Sequence, residues 1–260
     1  MIRWEEPHPD VALAVIDRQE RRNALNAELC DELRAGLEAS TTSRAVVVSG
    51  EGTAFCAGAD LARRASDTAS GGGLEPGGGD TFRPAFERLL DAIIQHPAPV
   101  IAAVNGPALG AGMQLAVACD LRVVGPAATF GIPAARLGVL LSAANIRRLA
   151  LLIGHAAARD LLLTACTLDR DAAADLGLVQ RASDDALAGA LELAGQIAVL
   201  APLSVAGHKH ALNVVLEAGR LPDALEREIA ALETRNFASK DLEEGLAAFA
   251  ERRTPDFRGC

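Results

Sequence analysis

Short β-branched runs alternate with stretches of helical spacing, and this alternation limits the fold more than any other feature of the sequence. The runs are VALAVI (11–16), AVVVSG (45–50), VIAAV (100–104) and LRVV (121–124). Their length and composition predict buried strands. Between them, helical spacing predicts helices near 26–39, 83–95 and 111–119, the first with Asn26 as its N-cap. Strands and helices in alternation indicate an α/β fold.

From about residue 184 the pattern changes to long Ala- and Leu-rich helical stretches without a clear strand. These stretches are 184–200, 203–218, 222–235 and 240–252. Pro202, in the break LAPLS, suits the first turn of a helix. We therefore expect a core over residues 1–200 and a C-terminal helical subdomain over residues 201–260.

Charge and composition exclude several classes of function. The formal net charge of −9 and the pI of about 5.1 argue against nucleic acid and anionic membranes as main partners. A phosphate-bearing ligand stays compatible, because backbone N–H groups and a few basic side chains are enough to bind one. The sequence has no apolar run near the ~20 residues of a membrane span, and its start, MIRWEEPHPD, resembles no secretion signal. We expect a cytoplasmic protein.

The cysteines and histidines do not predict a metal or nucleophilic site. The five cysteines are Cys30, Cys56, Cys119, Cys166 and Cys260. Their odd number and scattered spacing predict reduced thiols and no metal. We expect structural, capping or interface roles for His96, His155, His208 and His210.

The segment SDTASGGGLEPGGGD (66–80) is rich in glycine and polar residues and predicts a mobile surface loop. It is either a flexible linker or a loop that folds over a bound ligand. In the second case Asp67, Glu75 or Asp80 would supply a carboxylate.

Three small-residue segments follow predicted strands. GEGTAF (50–55) begins like a dinucleotide-binding fingerprint, but Phe55 stands where the third glycine belongs, so nicotinamide cofactor binding is not expected. FCAGADL (55–61) would let a ligand approach the backbone closely, or it is a plain turn that Asp60 caps. GPALGAGM (106–113) leads into a helix whose first N–H groups are free to bind an oxygen, or its glycines serve only close packing. Two such N–H groups on one carbonyl oxygen would form an oxyanion hole.

Together these segments resemble the crotonase superfamily, also called the enoyl-CoA hydratase/isomerase family. The resemblance rests on RRNALN (21–26), AVVVSGEGTAFCAGADL (45–61), PVIAAVNGPALGAGMQLAVACDLRV (99–123), FGIPAARLGV (130–139), LTACTLDRDAAADLGLV (163–179) and SKDLEEGLAAFAERRTPDF (239–257). It implies a spiral of β-β-α units over residues 1–200. It also implies a C-terminal helical subdomain that builds a homotrimer or hexamer.

The resemblance implies a fatty acyl-CoA thioester as ligand and no tightly bound cofactor. The N–H groups of Ala59 and Ala111 would hold the thioester carbonyl oxygen. The residues that match the family's CoA path are Arg22, Ala24, Ala57, Asp60 and Leu61. The apolar residues expected to line the acyl chain are Met113, Leu137, Val139, Leu140 and Leu141, and they suggest a preference for longer chains.

The sequence departs from the family at the positions that carry acid/base chemistry. Hydratases of this family use two glutamates, whose positions hold Gln114 and Ala134 here, and Ser142 stands where some members have an aspartate. An amide does not act as a general base, and one placed acid or base contributes about 10²–10⁴ in rate. We expect an acyl-CoA-binding protein of fatty-acid metabolism without efficient hydratase activity. The alternative is an enzyme, either a weak hydratase or one that runs another thioester reaction at the oxyanion hole.

Overall fold

The structure, a computed structural model, describes most of the chain. It covers residues 1–60, 81–137 and 139–217, and in the C-terminal part 227, 231, 239–241, 244, 248, 251 and 253–260. The predicted loop 66–80 and most of the predicted helices 222–235 and 240–252 lie outside the described residues.

The described secondary structure alternates as the sequence predicts over its first half. The strands are β1 (Ile2–His8), β2 (Val11–Ile16), β3 (Ala45–Gly50), β4 (Val100–Val104), β5 (Ala108–Leu109), β6 (Leu121–Val124), β7 (Thr129–Gly131), β8 (Thr167–Asp169) and β9 (Arg181–Ala182). The helices are α1 (Ala27–Ala39), α2 (Phe82–Gln95), α3 (Ala111–Ala118), α4 (Ala143–Thr164), α5 (Arg170–Asp175), α6 (Ala186–Ala198) and α7 (Pro202–Glu217). Short 3-10 segments lie at Gln19–Arg21 and Pro133–Leu137.

The main sheet has the strand order β1-β2-β3-β4-β6-β9. Strands β2, β3, β4 and β6 are parallel to one another, and β1 pairs with β2 in antiparallel orientation. A second, smaller sheet has the order β5-β7-β8. Because parallel strands run in one direction, the segments that follow β3 and β4 leave the same edge of the sheet.

Both faces of the main sheet are covered, which explains the continuous apolar runs of its central strands. In β2, Ala12, Ala14 and Ile16 face a core with α1, α2 and α3. The alternate residues Val11, Leu13 and Val15 face a second core with Ala190, Leu193 and Ala194 of α6. The predicted α/β fold is therefore confirmed.

Helix signals in the sequence place several elements correctly. Asn26 is the N-cap of α1, and its Oδ1 accepts a hydrogen bond from the N–H of Leu29 at 2.9 Å. Pro202 begins α7. The sequence analysis does not predict α4, where Gly154 interrupts the helix with a φ of 77°.

Buried charges fix the far end of α3. The guanidinium of Arg122 on β6 donates to the carbonyl oxygens of Cys119 at 2.6 Å and Leu178 at 2.6 Å, and burial lowers its pKa. Lys209 of α7 pairs with Asp120 at 2.7 Å, and the same carboxylate accepts a hydrogen bond from Val100 N–H at 2.7 Å. These contacts connect α7 and β4 to the segment that follows α3.

No single helix among the described residues has both the length and the apolar composition of a membrane span. In the part of the chain that the structure describes, one pair of helices reaches both together: α6 with most of α7, bent by 112°. Helix α6 packs against the main sheet.

Candidate functional site

Two turns meet at the carboxyl ends of β3 and β4. We define the first turn as residues 50–60 and the second turn as residues 105–110. The side-chain amide of Asn105 donates to the carbonyl oxygens of Gly50 at 2.8 Å and Gly52 at 2.7 Å. Further along, Cys56 N–H donates to Pro107 O at 3.1 Å, and Leu109 N–H donates to Cys56 O at 2.9 Å. Main-chain hydrogen bonds therefore hold the two turns in register.

The first turn directs the N–H of Ala59 away from its neighbouring segment. Leu25 N–H donates to Gly58 O at 2.8 Å, and Asp60 N–H donates to Leu25 O at 2.8 Å. In a parallel bridge of this kind the residue between the two bonded groups points its own N–H to the other side. Among the described residues the Ala59 N–H has no hydrogen-bond partner. It is therefore free to bind a ligand oxygen.

The second turn ends where α3 begins, at Ala111. Gly110, its N-cap, has a φ of 56°, a left-handed conformation that favours glycine. Ala111 is the first helical residue, so its N–H has no partner within the helix. No other described residue accepts from it.

Glycines bring the first turn close to the start of α3. A Cβ atom on Gly58, the residue before Ala59, would lie only 3.8 Å from the Ala111 nitrogen. A Cβ on Gly112 would overlap the carbonyl oxygen of Cys56. The structure thus requires small residues where the sequence analysis expects close backbone approach.

The Gln114 side chain is held by a polar network on the open side of α3. Its Oε1 accepts from Asn145 Nδ2 at 2.9 Å, and its Nε2 donates to Gly110 O at 3.3 Å. Asn145 Nδ2 also donates to Glu87 Oε1 at 3.1 Å, and Asn145 Oδ1 accepts from Arg148 Nη1 at 2.8 Å. No local sequence pattern points to Asn145 or Glu87, which lie far from Gln114 in the chain.

Neither of the other two acid/base positions carries an acid. Ala134 lies in the 3-10 segment Pro133–Leu137 and packs partly buried against the main core. Ser142 is the N-cap of α4, where its Oγ accepts a hydrogen bond from the Asn145 N–H at 3.4 Å. Its hydroxyl is therefore used in the helix cap.

Comparison with known proteins assigns the chain to a family. The family model described as "Enoyl-CoA hydratase/isomerase" matches residues 7–260. The chain belongs to this family. It is 38% identical over 258 residues to "Probable enoyl-CoA hydratase echA6" of Mycobacterium leprae, with 94% of each chain covered. It is also 38% identical over 258 residues to the "2,3-dehydroadipyl-CoA hydratase" of Escherichia coli, with 96% of this chain and 95% of that protein covered.

Solved structures of the family have the same fold. The crystal structure of an enoyl-CoA hydratase from Polaromonas sp. JS666 has a TM-score of 0.89 at 31% identity, with 99% of each chain covered. That of an enoyl-CoA hydratase from Bacillus anthracis has a TM-score of 0.86 at 31% identity and covers 100% of this chain and 99% of its own. The resemblance to the crotonase superfamily is confirmed, and so is its α/β fold.

The residues expected along the CoA path of this enoyl-CoA hydratase/isomerase family member lie on neighbouring segments. Ala57 N–H donates to Arg22 O at 3.0 Å, which aligns residues 22–25 with the first turn. Ala24, Ala57 and Ala59 are partly exposed, and Arg22 is exposed with a φ of 50°. Leu61 lies outside the described residues, as do Asp67, Glu75 and Asp80.

Asp60 differs from these neighbours because its side chain is buried. Its carboxylate pairs with Arg18 at 2.7 Å, and Arg18 also donates to Ala24 O at 3.0 Å. Asp60 therefore supports the backbone of this surface through its side chain. No sequence motif surrounds Arg18, so its role is visible only in the structure.

The apolar residues expected at the acyl chain fall into two groups. Leu137, Val139 and Leu140 are exposed, with Leu140 at 80%. Leu141 packs partly buried against the core, and Met113 is fully buried in it. Of the five, the exposed three are available for contact with a ligand or another chain.

A cavity of about 490 Å³ lies at the opposite end of α3 from Ala111. Leu151 and Leu152 of α4 and Leu212 of α7 line it, together with the Asp120–Lys209 pair. Ala59 and Ala111 do not line this cavity, so it is separate from the two turns.

Two further groups that could carry chemistry, Cys56 and His96, are buried in the fold. Burial raises the pKa of the Cys56 thiol to about 12, which keeps it protonated and unreactive. His96 is buried, with its Nδ1 3.1 Å from Ala98 O, and burial lowers its pKa. The described residues contain no group of three or more His, Cys, Asp or Glu placed to hold a metal ion.

Proposed function

We propose that this protein binds fatty acyl-CoA thioesters at the two turns and does not hydrate enoyl-CoA efficiently. The thioester carbonyl oxygen accepts hydrogen bonds from the N–H groups of Ala59 and Ala111. The role of the protein is to carry or sense an acyl-CoA of fatty-acid metabolism, and it needs no tightly bound cofactor. The relatives named as CoA-thioester hydratases support the ligand class.

One observation supports binding without hydration above all. The two N–H groups that would polarise the thioester are free among the described residues, whereas the neighbouring Gln114 amide is engaged by Asn145 and Gly110. An amide does not take up a proton from water at neutral pH. Two oxyanion donors contribute about 10²–10³ each to catalysis, but hydration also needs a base that activates water.

Two measurements on the purified protein test the proposal. Crotonyl-CoA and a longer enoyl-CoA are mixed with the protein, and loss of the conjugated thioester absorbance reports hydration. Calorimetry with the saturated acyl-CoA of each length reports binding. We expect binding with no significant turnover, and turnover within a few fold of ordinary hydratases would refute the proposal.

A proline substitution tests the site itself. Ala111→Pro removes the proposed N–H donor at a position where proline is well tolerated, since it is the first residue of a helix. We expect acyl-CoA binding to weaken on the order of tenfold. Ala143→Pro is the matched control, because Ala143 is the exposed first residue of α4. Equal effects of the two changes would exclude Ala111 from the binding site.

The Glu87 carboxylate favours a second candidate, a weak hydratase. Glu87 lies 3.1 Å from Asn145 Nδ2, which in turn holds Gln114. Under this candidate, a water molecule bound to the Glu87 carboxylate lies within reach of the acyl chain. If residual hydration is measured, Glu87→Gln abolishes it under this candidate. Asp91→Asn is the control, since Asp91 contacts the same network only through Arg148 at 3.4 Å.

We also propose that the protein assembles as a homotrimer or a hexamer through its C-terminal helical subdomain, residues 201–260. The exposed Leu212, Val215 and Leu216 on α7 support a surface for contact between chains. Light scattering coupled to size exclusion tests this proposal, and a monomer would overturn it.

A further inference from the structure

We propose that Gln114 acts as a hydrogen-bond donor to the acyl chain and selects thioesters with an acceptor oxygen on C3, as in 3-oxoacyl-CoA. This inference rests on the proposed function, because it takes the thioester carbonyl to lie at Ala59 and Ala111. It deepens that function by naming the ligand class.

The orientation of the Asn145 amide follows from its neighbours. The Asn145 side chain is buried between the guanidinium of Arg148, which only donates, and the carboxylate of Glu87, which only accepts. Its oxygen must therefore face Arg148 and its nitrogen must face Glu87. If the amide were flipped, its nitrogen would face the Arg148 donor and its oxygen would face the Glu87 acceptor.

The orientation of Gln114 follows from that of Asn145. Asn145 Nδ2 gives one hydrogen to Glu87 and the other to Gln114 Oε1. The Gln114 Oε1 therefore faces Asn145, and the Gln114 Nε2 faces the other way. One hydrogen of Nε2 points to Gly110 O at 3.3 Å. The second hydrogen has no partner within the part of the chain that the structure describes.

The free hydrogen belongs to a side chain beside the proposed thioester position. Gln114 follows Ala111 by three residues and so lies on the same face of α3, with side chains about 5–6 Å apart. Its neighbours Met113 and Leu115 are fully buried, whereas Gln114 is partly exposed. In an acyl-CoA, C3 is two bonds from the thioester carbonyl carbon, within reach of a glutamine one turn along the helix.

The chemistry of the ligand follows from this donor. A saturated or 2-enoyl chain has no oxygen on C3. It would displace the water bound to the Gln114 N–H and would offer no hydrogen-bond acceptor in its place. A ketone on C3 is an acceptor and restores the bond. Gln114 therefore determines specificity among acyl chains of equal length.

Calorimetry with 3-oxododecanoyl-CoA and dodecanoyl-CoA tests the inference. We expect the wild-type protein to bind the 3-oxo ligand on the order of tenfold more tightly. Gln114→Met keeps the size of the side chain but has no donor, so the two affinities become equal. Equal affinities in the wild-type protein, or a preference that survives in Gln114→Met, would overturn the inference but leave the proposed function intact. If neither ligand binds, both fail.

A double variant tests the role of Asn145 as a positioning residue. With Asn145→Asp and Glu87→Gln together, the aspartate accepts from Arg148 and from the new glutamine, and it accepts from Gln114 Nε2 as well. The Gln114 amide then turns over, loses its bond to Gly110 O and no longer presents a free N–H to the ligand. We expect the preference for the 3-oxo ligand to disappear or reverse, while thermal unfolding shows a folded protein. A folded double variant that keeps the wild-type preference would contradict this role.

Discussion

The two turns and the three positions expected to carry acid/base chemistry differ in how the chain specifies them. The turns rely on backbone groups, and small residues such as Gly58 and Gly112 keep those groups close together. The acid/base positions rely on side chains, and here they hold Gln114, Ala134 and Ser142. Under the proposed function, the comparison teaches that a scaffold can keep the backbone geometry for polarising a thioester while the side chains at its acid/base positions change.

The largest expected effect comes from giving the acid/base positions the glutamates of a hydratase. Gln114→Glu combined with Ala134→Glu introduces both carboxylates beside unchanged turns. We expect hydration of crotonyl-CoA to rise by about 10²–10⁴-fold, the contribution of a placed acid or base. Each single variant serves as a control. No gain would mean that the turns alone do not place the thioester for chemistry.

The next effect comes from disturbing the turns and leaving the acid/base positions alone. Gly112→Ala sets a methyl group against the carbonyl oxygen of Cys56. We expect the free energy of unfolding to fall by about 1–3 kcal/mol and acyl-CoA binding to weaken with it. Gly195→Ala on α6 is the matched control, because a Cβ there meets no atom within 4 Å. Unchanged stability and binding in Gly112→Ala would show that the two turns do not need this close contact.

A smaller effect concerns the length of the acyl chain. If exposed Leu140 contacts the ligand, dodecanoyl-CoA binds more tightly than acetyl-CoA, because each buried methylene contributes up to about 0.8 kcal/mol. Leu140→Ser should weaken the long ligand only, by about threefold to tenfold. Leu163→Ser is the control, since Leu163 is 78% exposed and lies on α4. Comparable calorimetric affinities for acetyl-CoA and dodecanoyl-CoA would disprove the preference.

The smallest effect concerns the segment before β4, at the end of that strand away from the second turn. His96 lies between α2 and β4, and burial lowers its pKa. The folded protein therefore binds this proton less readily than the unfolded chain, so stability is complete above the ordinary histidine pKa near 6.5 and falls as the pH drops below it. One proton accounts for at most about 1.4 kcal/mol per pH unit. Denaturant unfolding at pH 7.5 and 5.5 should show this loss in the wild type and in the exposed-site variant His155→Gln, but a smaller loss in His96→Gln.

Sequence reasoning succeeds where a short stretch of chain determines its own structure. The strand bounds 11–16, 45–50, 100–104 and 121–124 all match, because strands buried on both faces read as continuous apolar runs. The edge strand β1 and the short β8 carry mixed polar residues and give no such signal. Helix α4 is missed because Gly154 interrupts its periodicity.

The same division holds at the candidate site. The small residues around Ala59 and Ala111 are visible as motifs, so the turns are predictable from sequence. The contact between Gln114 and Asn145 joins residues 31 positions apart, and the pair Arg18–Asp60 joins residues on different segments. No local pattern marks either contact, because tertiary packing alone brings these side chains together.

The hydrogen bond that Asn145 donates to position 114 has a consequence for how such a protein can arise. A glutamate at that position would accept the same hydrogen from Asn145 and would lose only the longer contact of Nε2 with Gly110 O at 3.3 Å, so the hydrogen bond from Asn145 survives the exchange. In the gene, glutamate and glutamine codons differ by a single base. A chain with this architecture can therefore exchange a proton-accepting carboxylate for a hydrogen-bond-donating amide through one nucleotide change. Its chemistry can change without a change of fold.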